Sequence, residues 1–311
     1  MEIIYLENKE INKTKWDETI ANSSHGIAYV YSWYLDAVFP NWSAFVSEDY
    51  KYIFPVTLNS QYKISYFFTP IFAMQFGVFS NEEITEEIEN LFWNAVLTNT
   101  KAIDISLHPG TKYVPKNIQV LQKQCQIIDL SKSYTEISKH YNSNLKRNLT
   151  KAIKLNLRIS TSENIQDVVG IFRNGRGNKI ADLKEVHYIN LHKLIQNGLK
   201  ANEVKIFECY EDREIIAAGF FTFCNNRIIY HKGGANHKGR KYGAMHLIID
   251  SIIREYASTG MIFDFGGSSI DSVRKFNLNF TQQEYLYPVY KKSNFMLNIA
   301  RKIKNKFTKE K

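Results

Sequence analysis

Cysteine is scarce in this chain: Cys125, Cys209 and Cys224 are the only three in 311 residues, and no CxxC pair occurs. That spacing excludes a disulfide framework and a cysteine-rich zinc site, and it suits a reducing compartment. Long apolar runs are also missing. The longest uncharged stretch, residues 64–81, is interrupted by Pro70, Gln75 and Gly77. It reads as two strands rather than a membrane span. The start, Met1-Glu2, is acidic and no apolar segment follows it, so no secretory leader is expected. No HExxH, Walker loop or ordered Ser/His/Asp set occurs, which leaves metalloprotease, NTPase and serine-hydrolase readings without support. No short-period repeat is visible. Acidic residues are absent between Glu136 and Glu163.

The composition, 44% hydrophobic and 14% aromatic, is enough for substantial cores, and the length suggests two domains. Charge is unevenly placed. Of the net +9, +7 falls in residues 291–311, leaving +2 for the rest. In that tail Met296, Ile299, Ala300, Ile303 and Phe307 share one helical face, and Arg301, Lys302, Lys304 and Lys306 cover much of the remainder. Such a basic amphipathic helix can lie on an anionic membrane through residues 295–307, or dock on the first domain.

Periodicity gives the elements. Strands are expected at 3–6, 44–46, 52–58, 63–68, 73–79, 102–107 and 126–130, all rich in aromatic or β-branched residues. Helices are expected at 16–21, 32–39 and 82–97. The last has Asn81 as its cap and Ile84, Ile88, Leu91 and Ala95 on its buried face. Residues 143–154 form a two-faced helix, with an apolar stripe of Leu145, Leu149 and Ile153 and a basic stripe of Arg147, Lys151 and Lys154. A solvated surface helix and the wall of a polyanion cleft both fit that pattern. A strand near 157–160 and helices at 163–173 and 185–196 follow. Strands at 204–210, 215–223 and 227–234 come next, the last two joined by the hairpin signal Asn225-Asn226. A final strand covers 284–290.

Residues 227–267 organise the second half. A strand ends in Gly233-Gly234; a polar, basic loop, 235–243, carries Gly239, Arg240 and Gly243; a helix from Ala244 to 257 is capped by Gly260; and a short strand, Met261-Ile262-Phe263-Asp264-Phe265, runs into Gly266-Gly267. Strand, glycine-bearing loop, helix and strand make a βαβ unit. Free amides and the positive dipole at the helix start favour an anion, and glycines let a phosphate approach the backbone. A connecting loop without ligand is the plainer reading of the same spacing.

Three segments resemble one family. Tyr141-Asn142-Ser143-Asn144-Leu145-Lys146-Arg147-Asn148-Leu149-Thr150-Lys151-Ala152 is similar to its basic helix. Gly260 with Phe263-Asp264-Phe265-Gly266-Gly267-Ser268 is similar to its Gly-then-FDFGG stretch. Val273-Arg274-Lys275-Phe276-Asn277-Leu278-Asn279-Phe280 is similar to its Phe-centred helix. The family is the tandem version of the acyl-CoA N-acyltransferase (GNAT) superfold, the FemABX-like group of peptidoglycan-type aminoacyl transferases and their acetyltransferase relatives. The resemblance implies an α+β chain of two tandem GNAT-like domains, each a mixed, mostly antiparallel sheet flanked by helices. The domains are placed at 1–132 and 133–290, with the tail at 291–311. It also implies acyl-CoA as co-substrate, bound by Gly233, Gly234, Gly239, Arg240, Gly243 and Ala244, and no metal. Met245 stands where the superfold's phosphate loop favours Gly or Ala, and Asn277 stands where the peptidoglycan enzymes often have Lys.

Acyl transfer to an amine needs a deprotonated amine, donors for the oxyanion and a stabilised leaving group. The resemblance implies that much of this comes from positioning two substrates on parted strands. His231 and Asp264 are the candidate catalytic residues, each with a structural alternative: a packed strand histidine, and a cap for a helix start near Ser268-Ser269. Tyr285 and Tyr287 are candidate proton donors or strand packing. Arg147, Lys151, Lys275 and Phe276 are the candidate substrate-binding residues. The resulting expectation is a cytoplasmic N-acyltransferase, with its tail at the inner membrane face as the peripheral variant. It would move an acyl or aminoacyl group from a CoA-type donor to an amine of a cell-envelope or glycan precursor, small or linked to lipid or nucleotide. The alternatives are a tRNA-dependent transferase acting on a peptidoglycan precursor and a non-catalytic binding protein that kept the fold.

Overall fold

The computed structural model describes residues 1–294 except 62, 268 and 269. The tail and its membrane reading at 295–307, and the helix-start role read for Ser268-Ser269, lie outside the described residues. The chain forms two compact units, Met1–Lys123 with the chain from Leu286 on, and Gln124–Tyr285. The sequence placed its divisions after 132 and 290; the units instead change over inside two long strands.

The first unit opens with β1 (Ile3–Glu7), α1 (Lys13–Asn22), α2 (Ser32–Val38), β2 (Ser43–Ser47) and β3 (Tyr52–Val56). It continues with β4 (Leu58–Gln61), β5 (Ile64–Phe68), β6 (Phe79–Ser80), α3 (Glu86–Asn99) and β7 (Ala102–Ser106). Strands β1, β2, β3 and β6 form an antiparallel sheet. In a second sheet β5 pairs antiparallel with β4 and parallel with β7. Trp16 and Trp42 pack with ring centres 4.9 Å apart, and Phe54 meets Trp93 at 5.3 Å. Each such buried ring removes a large apolar surface from water.

Two expectations fail here for packing reasons. α3 is capped by Thr85, whose side chain accepts from the Ile88 amide, not by Asn81. It buries Glu89, Phe92, Trp93 and Val96 and leaves Leu91 exposed. The bulk of Phe92 and Trp93 turns the helix away from the predicted aliphatic face. The strand expected at 73–79 shrinks to β6 and a single bridge at Phe76.

The second unit begins within β8 (Gln119–Asp129) and continues through α4 (Tyr134–Lys139), α5 (Ser143–Lys154), β9 (Arg158–Ser162), α6 (Ile165–Asn174) and α7 (Glu185–Lys200). Then come β10 (Val204–Glu211), β11 (Glu214–Cys224), β12 (Arg227–Ala235), α8 (His237–Tyr242), α9 (Ala244–Tyr256), β13 (Ile262–Asp264) and α10 (Asp271–Asn277). Strand β14 (Glu284–Lys292) crosses back and pairs antiparallel with β7 inside the first unit. The second unit's sheet runs β8-β13-β12-β11-β10-β9, antiparallel throughout except for β12 with β13. α9 packs on one face, with Ile248, Ile249, Ile252 and Ile253 fully buried near Phe221 and Phe263. Each buried aliphatic side chain contributes roughly 1.5–3 kcal/mol. α6 packs across the strands β10, β11 and β12. α5 has the predicted bounds, begun by Asn142, whose side chain accepts from the Leu145 amide. It buries Leu145, Leu149 and Ala152, while Ile153 of the predicted stripe is 62% exposed.

Candidate functional site

Strand β12 positions the site. Asn225 and Asn226 both take left-handed φ values, 51° and 52°, as a two-residue hairpin turn requires. β12 then follows β11 from Cys224↔Arg227 to Ala217↔Ala235, with an irregularity at Phe220/Phe221 that leaves His231 unmatched. On its other side β12 meets β13 only at Arg227, Ile228 and Ile229. Among the described residues, the pairing of β12 with β13 does not continue past Ile229, so the strands part there, as the resemblance implied.

Asp264 holds the base of the opening. Its Oδ1 accepts from the Gly266 amide at 2.8 Å and the Cys125 thiol at 2.9 Å; its Oδ2 accepts from Arg227 at 2.6 Å and the Tyr285 hydroxyl at 2.9 Å. The Gly267 amide donates to the Cys125 sulfur at 2.9 Å. Burial, then the Asp264 charge, pushes the Cys125 thiol well above its ordinary pKa, so it stays a donor. Gly266 and Gly267 have φ of 70° and 54°, which turn the chain away from β12. Four donors occupy the carboxylate. That geometry suits a brace better than a base. Tyr287 is buried in its strand.

His231 stacks on Phe220 at 5.1 Å and 7°, with Nε2 2.9 Å from the Thr222 hydroxyl. Burial pushes its pKa well below the usual histidine value, so the ring is neutral at pH 7. Its neighbour Lys232 donates to the His231 carbonyl at 3.0 Å, and burial lowers its ammonium to about 8.

The expected loop at 235–243 is instead the short helix α8. Asn236 caps it, accepting from the Gly239 amide at 2.8 Å, and Gly243 at φ 75° passes the chain into α9. Gly260 is not the cap of α9, which ends at Tyr256 before Ala257. Three of the glycines read as phosphate contacts serve packing. A Cβ on Gly239 would meet the Ile216 carbonyl at 2.1 Å; on Gly243, Asn148 of α5 at 2.9 Å; and on Gly233, the Ala218 carbonyl at 2.5 Å. Gly234 keeps space, its nearest neighbour being Ile171 at 3.6 Å. Arg240 donates to the Ala235 carbonyl at 2.7 Å, and Ala244 is fully buried. Met245 does not crowd the turn: it points into the core, where Gly219 makes room for its Cε.

Two clefts flank this segment. One, of 430 Å³, is lined by Asp167, Gly170, Ile171, Ala235, Asn236 and Arg240, among others. The other, of 560 Å³, is lined by Lys146, Arg147, Lys151, Lys154, Leu155 and Tyr242, among others. Lys151 donates to the Lys241 carbonyl at 2.8 Å and lies 5.8 Å over the Tyr242 ring. Arg147 and Lys151 are therefore brought together. Lys275 and Phe276 are not brought to either cleft: Lys275 is exposed on α10, and Phe276 packs 4.7 Å from His246. Sequence reasoning missed Glu208, a buried carboxylate on β10. Its signal was an acid inside the apolar run Val204-Lys205-Ile206-Phe207-Glu208-Cys209.

Residues 139–272 match the family model described as an acetyltransferase (GNAT) domain. No curated protein matches the chain by sequence. Among solved structures, FemX has a TM-score of 0.66 at 11% identity, over 93% of this chain and 97% of its own. The C-terminal DUF2156 domain of an Agrobacterium fabrum protein described as a lysylphosphatidylglycerol synthetase has 0.61 at 11%, over 94% of each. L-PGS from Bacillus licheniformis has 0.54 at 10%, over 83% of this chain and 86% of its own. The chain thus shares the fold of FemX, and residues 139–272, within its second unit, match a GNAT acetyltransferase domain.

Proposed function

We propose that the protein transfers an acyl group from a CoA-type thioester to an amine. The observation that carries this reading is the edge of β12 beyond Ile229, where among the described residues its pairing with β13 stops, beside the segment leading into α9. A thioester laid along that edge would meet strand amides at its carbonyl, which are oxyanion donors that need no reorganisation. Attack by the amine forms the C–N bond and breaks the C–S bond. Lys232, lowered to about 8, is matched to protonate the departing thiolate. Asp264 is reassigned to bracing the opening, and neutral His231 to holding the irregularity in β12. Neither has the free, basic lone pair of a general base, so positioning supplies most of the rate and the amine's proton passes to water. The α9 N-terminus, Arg240 and the basic cleft of α5 favour the donor's phosphates. GNAT folds generally bind acyl-CoA. The family resemblance, and the name of the lysylphosphatidylglycerol synthetase neighbour, point to an envelope lipid or glycan precursor as acceptor.

The test is calorimetry and thermal shift with acetyl-CoA. Ligand at 100 times Kd should add about 2.7 kcal/mol of stability to the wild type. Gly234→Leu, which fills the space beside Ile171, should lose that shift while melting normally without ligand. An unchanged shift in this variant moves the donor away from β12. The basic cleft of α5 also favours a second reading, with aminoacyl-tRNA as donor. That reading requires tRNA binding whose affinity falls steeply with salt and with Lys151→Ala.

A further inference from the structure

α5 packs on α9 and α8 and buries Leu145, Leu149 and Ala152. Its other side faces water and carries Lys146, Arg147, Lys151 and Lys154, with Lys241 of α8 beside them. Among the described residues none of these five cations is in an ion pair, whereas Lys238 on the same short helix α8 is held by Glu211 at 2.7 Å and Glu214 at 2.8 Å. The sequence explains the difference, since no acid lies between Glu136 and Glu163. A helix that only meets water gains from acids spaced three or four residues from its cations. Here Arg147 and Lys151, four apart, repel each other instead, so the anion that suits this face lies outside the chain. Bare aliphatic side chains stand among the cations. Ile153, 62% exposed, falls in one helical row with Lys146 and Thr150, and the exposed Leu155 lines the 560 Å³ cleft with Lys146, Arg147, Lys151 and Lys154. Nucleic acid would satisfy the cations but rewards aromatic faces that stack on bases. The ring in this cleft, Tyr242, already has Lys151 over it at 5.8 Å and Lys241 at 6.0 Å. An anionic bilayer answers both features: phosphates for the ammonium groups and, just beneath them, acyl chains for the aliphatic ones.

We infer that the exposed face of α5 docks on an anionic phospholipid bilayer. Lys146 and Lys154 meet headgroup phosphates, and Ile153 enters the boundary between headgroups and acyl chains. Lys151, engaged with Tyr242 and the Lys241 carbonyl, stays with the cleft. The attachment is peripheral: among the described residues no helix is long and apolar enough to cross a membrane. It concerns where the protein is held rather than what it catalyses, so it stands apart from the acyl-transfer reading.

The experiment is co-sedimentation of the full chain with phosphatidylcholine vesicles and with vesicles made about one-quarter phosphatidylglycerol, at about 0.1 M salt. The wild type should prefer the anionic vesicles by about tenfold or more. Lys146→Ala combined with Lys154→Ala should weaken that binding by about 25-fold, roughly fivefold for each cation removed. Ile153→Ser should weaken it by about fivefold and leave the binding of tRNA, measured in parallel, unchanged. All three side chains are exposed, so the variants should melt as the wild type does. Residues 295–311 are the same in every variant, so the differences report α5 alone. Equal binding of the wild type to both vesicles, or full binding retained in either variant, overturns the docking surface. Loss of tRNA binding in the lysine variant with vesicle binding intact also overturns it, and gives the cations to nucleic acid. A wild type that prefers anionic vesicles and loses that preference in the variants, yet fails to bind acetyl-CoA, keeps the surface and sinks the acyl-transfer reading.

Discussion

Asp264 and Glu208 are both buried carboxylates on one sheet, each about 1% exposed, yet their surroundings are opposite. Asp264, on β13, receives four donors, one of them the Arg227 guanidinium. Among the described residues Glu208, on β10, receives one and keeps an oxygen without a partner. A saturated carboxylate fixes backbone, here the end of β13 against the start of β12. An unsaturated one fixes less of the backbone around it. Burial alone therefore says little about role; the count and charge of the donors decides it.

The widest separation should come from paired amides. Asp264→Asn leaves Arg227 without its charge partner and weakens the turn at Gly266, at a cost of about 3 kcal/mol in urea unfolding. Glu208→Gln should stay within about 1 kcal/mol of wild type, because it removes a buried charge and keeps an acceptor for Tyr210. Equal losses in the two variants would erase the contrast.

The first unit offers another buried atom of this kind. His108 is 1% exposed, bonded through Nε2 to the Val78 carbonyl at 2.9 Å, and its Nδ1 has no partner. It stacks on His25 at 4.6 Å, and burial takes its pKa to about 3. Because the folded value lies below the unfolded one, its contribution is complete above pH 6.5 and is lost as pH falls from 6.5 toward 3. At pH 5 the loss is about 2 kcal/mol. Urea unfolding at pH 7 and pH 5 should show that drop in wild type and a smaller one in His108→Asn. A neutral orphan atom in a packed ring stack would then be a stability device.

The glycines give the smallest contrast. Gly239→Ala places a Cβ 2.1 Å from the Ile216 carbonyl and should cost about 1–3 kcal/mol. Gly170→Ala, in an open helical position, should gain about 0.5–1 kcal/mol. Thermal melts of the two variants check both signs. A loss from both would mean that the space beside Gly170 is filled.

Much of the fold was legible because the signals are local. α5 was read with its observed bounds, from its two-faced pattern. The β11–β12 hairpin followed from Asn225-Asn226, while the parting of β12 from β13 was implied by the family resemblance. The site was less legible. Glycines at 233, 239 and 243 look the same in sequence whether a phosphate or a neighbouring backbone approaches them, and the approaching groups, Ala218, Ile216 and Asn148, lie elsewhere in the chain. The loop at 235–243 hid a helix because its cap, Asn236, stands in a run that also reads as polar connection.

By itself the sequence determined much of the order of strands and helices, since turn residues and apolar spacing act within a few positions. Tertiary structure alone decided that Asp264 is saturated and Glu208 is not. Their partners are set by register and by long closures, such as Cys125 reaching Asp264 across 139 residues. No local pattern encodes which donors such a closure brings to a buried carboxylate.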